Sequence, residues 1–168
     1  MTLKMEDSKM DSSQLYNQFS HELRQADNCQ IQISQKIFEL QLIDINLKYG
    51  NNDSEWNIQN LVKKNNIKVS LHSIENERNT YLTRAITCAL QLAEYEVENS
   101  KNIVFPMAYL ALNSINSFIS SYKVNLDLSL FIKSKVSYIS NKLILESNLS
   151  FINLRTEINK LKSSCHIF

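Results

Sequence analysis

Three carboxylates and a phenol crowd the stretch LAEYEVEN at positions 92–99: Glu94, Glu96 and Glu98 around Tyr95. Carboxylates at helical spacing, such as Glu94 and Glu98, can hold a divalent metal or divide the roles of general acid and base. A di-metal carboxylate bundle also needs Glu-x-x-His pairs, and none accompanies these glutamates. The other chemistry open to the cluster is recognition. A tyrosine gains from being half dry and half wet, and is enriched where proteins bind one another. Carboxylates beside it would meet basic groups on a partner.

Other reactive types offer little by spacing. His21, His72 and Cys29 are scattered and Cys165 adjoins His166, so no zinc-type pattern forms. An adjacent Cys–His pair lacks the orienting third group of a nucleophilic site. Gly50 is the only glycine, which removes the phosphate-cradling loops of nucleotide-binding proteins. Lys133, Lys135, Lys142, Arg155, Lys160 and Lys162, with Tyr138 among them, raise direct nucleic-acid binding, but their spread reads as the wet side of a bundle. Residues 1–100 carry a net charge of −4 and residues 101–168 a net of +5, neither extreme.

The elements that must hold these residues are helices. The chain has 168 residues, with 43% hydrophobic and 21% charged, enough for one hydrophobic core. One Gly and one Pro (Pro106) cannot supply the turns of a sheet protein, whereas abundant Asn can serve caps and left-handed turns. We therefore expect an all-α fold, a single domain of six or seven helices, with residues 1–12 as a polar, frayed leader. Apolar periodicity places helices at about 13–27, capped by Ser12 or Ser13, and about 30–48, stopped by Gly50. A shorter helix at 53–66 follows, with Asp53 or Ser54 as cap and Glu55 in its first turn. IKVSLHSI (67–74) alternates Ile67, Val69 and Leu71 and reads as an extended connector. Helices at about 79–99, 104–121 (Pro106 in its first turn), 126–146 and 149–163 complete the chain.

In the 79–99 helix, Leu82, Ile86, Ala89, Leu90, Ala93 and Val97 share one arc at about 100° per residue, the core face. Arg84, Cys88 and Tyr95 lie almost opposite, with Leu92 to one side. Either a neighbouring helix covers Leu92 and Tyr95, or they belong to a partner site. In the second case Tyr95, Glu94, Glu98, Glu96 and Leu92 form an acidic, aromatic patch. Asp53, Glu55, Glu75, Glu77 and the lone tryptophan, Trp56, extend it if they fold alongside. Trp56 can equally plug the core beside its own helix.

YLTRAITCALQLAE (81–94), MAYLALNSINSFI (107–119) and INLRTEINKLKSS (152–164) resemble the helical pattern of a small bacterial family of unknown function typified by YjaG. The resemblance covers roughly residues 80–165. The family's proline-containing N-terminal signature is missing from HELRQADNCQIQIS (21–34), and Cys165 and His166 stand where it has a glycine. It implies an all-α fold without implying a reaction.

No apolar leader is visible, and IVFPMAYLAL (103–112) is half the length of a membrane-spanning helix. Three unpaired cysteines fit a reducing compartment. The expectation is a cytoplasmic, non-enzymatic binding protein without metal or cofactor, contacting neither membrane nor nucleic acid. Its leading form is an immunity protein that neutralises a basic bacterial toxin, such as a nuclease, through the acidic patch. The alternative is a structural or chaperone-like helical protein, for instance of a secretion system, acting through apolar helix pairing.

Overall fold

The computed structural model describes residues 10–50, 54–99, 105–146 and 148–165. Within them the fold is all-α: α1 (Ser12–Tyr49), α2 (Ser54–Glu98), α3 (Met107–Tyr122), α4 (Leu130–Leu145) and α5 (Ile152–Ser164), with a 3₁₀ turn at Leu149–Phe151. Five helices stand where six or seven were expected, because two expected breaks do not occur. The helices expected at 13–27 and 30–48 are one, and 53–66, the extended connector 67–74 and 79–99 are another.

The physical reason lies in the spacing of what is buried. Neither Gly nor Pro interrupts either run, and Asn or a β-branched residue costs a helix only about 0.7 kcal/mol at most. In α1 the covered or half-covered positions Ala26, Cys29, Ile33, Lys36, Leu40, Ile43 and Leu47 alternate steps of three and four. In α2, Asn57, Asn60, Lys64, Ile67, Leu71, Ile74, Arg78 and Tyr81 do the same. That is the heptad of a two-stranded seam, and burial along it outweighs local preference. The alternation of Ile67, Val69 and Leu71 was therefore a coincidence of two periods: Ile67 and Leu71 fall on the seam and Val69 outside it.

The start of α1 also differs from expectation. Asp11, not Ser12 or Ser13, caps it. The Gln14 N–H donates to Asp11 Oδ1 at 2.8 Å, and the Asp11 N–H donates to Gln14 Oε1 at 3.0 Å, a reciprocal capping box. Residues 1–9 of the expected leader, and Asp53, lie outside the described residues.

The chain divides into two compact units, Met1–Leu23 with Leu82–Phe168, and Arg24–Tyr81. The first is a bundle whose core is fully dry: Leu82, Ile86, Leu90, Leu112, Ile115, Ile139, Leu143, Phe151, Leu154, Ile158 and Leu161 all lie below 2% exposure. The arc expected for residues 79–99, from Leu82 to Val97, is buried throughout. Between α3 and α5 the Asn116 amide donates to the Glu157 carbonyl (2.9 Å) and carboxylate (3.1 Å), fixing their register inside apolar surroundings. Between α3 and α4, Val124, Leu126 and Leu128 are buried while Asn125, Asp127 and Ser129 are exposed, the period of an extended segment. Lys123, with φ of 52°, turns the chain into it, the only described non-glycine residue in left-handed geometry. Asn was expected in such places; lysine takes this one.

The second unit is an antiparallel helical hairpin. Arg78 Nη1 donates to Gln30 Oε1 at 2.6 Å and Lys64 Nζ to Asp44 Oδ1 at 2.7 Å, two pairs in one register. Polar groups at seam positions specify alignment where apolar contacts alone would slide. Gly50 ends α1, its N–H donating to the Asn46 carbonyl at 2.8 Å. A Cβ there would overlap the Asn46 carbonyl and the Trp56 ring, so the glycine is required by close approach rather than by positive φ.

Candidate functional site

The acidic stretch of α2 is largely spent inside the bundle unit. Glu96 is buried, and its carboxylate accepts from the backbone N–H of Met107 at 2.6 Å and of Ala108 at 2.8 Å. Those are free amides of the first turn of α3, where a negative charge also suits the helix dipole. Pro106 stands just outside this turn, at the cap position, and offers no side-chain oxygen, so Glu96 caps α3 from another helix. Burial pushes the Glu96 carboxyl above its ordinary value, and the two amide donors hold it back. Leu92 is fully buried. Neither Glu96 nor Leu92 presents anything to a partner, which corrects their expected place in the patch.

Glu94 and Glu98 both have partners on α4, Glu94 half-buried and Glu98 still exposed. Lys135 Nζ lies 2.6 Å from Glu94 Oε2, and the Tyr138 hydroxyl donates to Glu98 Oε1 at 3.0 Å. Tyr95 is 46% exposed. With Met10, Leu15, Gln91, Glu94, Glu98 and Lys135 it lines an open groove of about 490 Å³. Of the expected patch, then, Tyr95, Glu98 and a half-covered Glu94 share one groove, its charge partly neutralised from within.

Some basic residues of the C-terminal third are engaged within the fold, although Lys142, Lys160 and Lys162 remain exposed. Lys160 lies 3.1 Å from Glu157, Lys142 stands over the Tyr138 ring at 5.6 Å, and Arg155 donates to the Leu143 and Glu146 carbonyls at the end of α4. Burial raises the pKa of all three thiols, Cys165 to about 11, so none is a thiolate at neutral pH. No group of three or more His, Cys, Asp or Glu among the described residues is placed to hold a metal ion. No described helix is long and apolar enough to cross a membrane.

The hairpin unit carries the surface that sequence reasoning missed. Ile31, Phe38, Leu42, Ile45 and Tyr49 are between 46% and 74% exposed. At 100° per residue they fall within an arc of about 60°, almost opposite the α1 seam. On α2, Ile58, Val62 and Val69 are likewise exposed and opposite its seam, with Leu61 exposed to one side. Each helix of the hairpin thus has two apolar faces, and only one of them is covered. The signal was present as a second heptad, with Ile31, Phe38 and Ile45 seven apart. Trp56 is half-buried over Gly50, which accounts for it as packing, and Glu55 is exposed one residue before it.

Neither a protein-family model, nor a curated protein, nor a solved structure matches the chain.

Proposed function

We propose that the protein is a non-enzymatic helical binding protein, structural or chaperone-like, that works by packing the outer apolar faces of its hairpin against other helices. One observation carries this reading: eight large apolar side chains bare on the far sides of an otherwise well-registered hairpin. Contiguous exposed apolar surface of several hundred Å² is rare on monomeric proteins and marks interaction sites. A helix that is apolar on two opposite faces is built to be covered on both.

An immunity protein that neutralises a toxin is the second reading, supported by the Tyr95 groove with its Glu98 rim. The internal pairing of Glu94 and Glu98 weakens it, because carboxylates already bonded to Lys135 and Tyr138 offer less to a basic partner. Lys135 and Arg155 are engaged within the fold, which leaves fewer basic groups for nucleic acid as a direct ligand. We place the protein in the cytoplasm, acting on a protein partner.

The test is capture from the native host with three tagged forms: wild type, Phe38→Glu/Ile45→Glu and Glu98→Lys. The hairpin reading expects the double variant alone to lose a stoichiometric protein partner. Loss of a basic nuclease from Glu98→Lys, with the hairpin variant unaffected, would transfer the assignment to the immunity reading.

A further inference from the structure

The stripe on α1 has an internal symmetry that selects its occupant. Ile31 and Tyr49 lie nine residues to either side of position 40, and Phe38 and Leu42 lie two to either side. Laid antiparallel on a copy of itself about that midpoint, the stripe sets Ile31 against Tyr49 and Phe38 against Leu42, with Ile45 opposite Gln35. A two-fold interface needs a patch that complements itself in this way. We propose that two copies of this chain pair through the outer stripe of α1, antiparallel and centred on position 40. The inference rests on the hairpin reading above and names its partner as a second copy.

Size and charge agree. The stripe runs over 19 residues of continuous helix, about 27 Å from Ile31 to Tyr49. Five side chains about half bare present roughly 400–500 Å² of apolar surface. In an interface about 57% apolar this corresponds to roughly 800 Å² per copy, the size of a stable, specific contact. Residues 24–81 contain seven Lys or Arg and seven Asp or Glu, so net charge does not oppose self-association. The flanks Gln35, Gln41 and Asn46 are neutral, giving neither the basic rim a membrane-surface helix carries nor a strong charge signature for a foreign partner.

Sedimentation velocity of the full chain from roughly 1 to 100 µM tests the pairing, in a range where interfaces of this size assemble. Wild type is expected to sediment as a dimer. Phe38→Glu/Ile45→Glu is expected to weaken association by about a hundredfold or more. Its helical circular dichroism should not change, since both side chains are already exposed. Geometry is tested by oxidising a mixture of Phe38→Cys and Leu42→Cys chains, of different tag lengths. A cross-link between the two kinds, with none within either, is expected. Three results would overturn the pairing: a monomer at the highest concentration, a dimer indifferent to the double substitution, or Phe38→Cys linking to itself. Uptake of monomer by phosphatidylcholine vesicles would overturn it in favour of a lipid surface. A monomeric wild type whose double variant still loses a captured protein sinks the pairing and leaves the hairpin reading standing. If neither association nor capture depends on the stripe, both fall.

Discussion

The bundle unit and the hairpin unit use similar side chains to opposite ends. In the bundle every large aliphatic of the core is dry, and buried polar groups such as Glu96 and Asn116 have partners on a neighbouring helix. In the hairpin the seam is mixed, with Lys36, Asn60, Lys64 and Arg78 among its positions, while Phe38, Ile45 and Ile58 stand in solvent. The bundle combines its dry core with exposed apolar residues of its own, Leu130, Ile144, Leu145 and Leu149 among them; the hairpin has no comparably dry core and sets its exposed residues in stripes along its helices. Buried apolar area is thus concentrated in the bundle, and the proposed binding role falls to the ordered stripes of the hairpin.

Core truncation should break that contrast most sharply if it is false. Phe151→Ala is expected to cost about 3–5 kcal/mol, read as a lowered denaturant midpoint. Phe38→Ser, equally drastic in size and chemistry, should stay within about 0.5 kcal/mol for the unassociated chain. Comparable losses at the two sites would mean that the hairpin face is already packed.

Glu96→Ala should cost about 1–3 kcal/mol, because it strands two amides at the start of α3. Its pH dependence has a definite sign. The native carboxyl titrates above its ordinary value, so the folded state takes up the proton first. On acidification from pH 7 toward about 4.3, wild type should gain stability relative to Glu96→Gln, which cannot titrate there. Paired urea titrations along that range measure it; a loss instead of a gain would show that the amides outweigh burial.

In the hairpin, Gly50→Ala should destabilise by about 1–3 kcal/mol, since the Asn46 carbonyl cannot move aside as a flexible side chain could. The smallest effect is expected at the Glu94–Lys135 pair, both members over a quarter exposed. A double-mutant cycle there should return a coupling of about 0–1 kcal/mol, shrinking with salt. A larger value would sharpen the case that the groove is pre-organised for a ligand.

Much of this was legible in the residues. The scarcity of Gly and Pro gave the all-α fold, and the arc from Leu82 to Val97 gave the buried face of α2. The pairing of long helices was not legible from element-by-element periodicity. Ile67, Val69 and Leu71 satisfied a strand period locally, and only the heptad from Asn57 to Tyr81 reveals the continuous helix. The capping box was readable as Asp-Ser-Ser-Gln at 11–14. The fate of Glu96 was not, because its partners lie 11 and 12 residues away on another helix. Nor could sequence show that Glu94 and Glu98 have partners, since Lys135 and Tyr138 reach them from about 40 residues on.

On the reading proposed above, this protein associates through apolar helix faces rather than through its charges. The most direct test is the equilibrium constant of its tightest association, with itself or with a captured protein, at about 50 mM and about 500 mM salt. Over that range the screening length shortens from roughly 14 to 4 Å. An apolar helix contact predicts a change of less than about threefold. Weakening by tenfold or more at the higher salt would contradict it and return the weight of the argument to Tyr95 and Glu98.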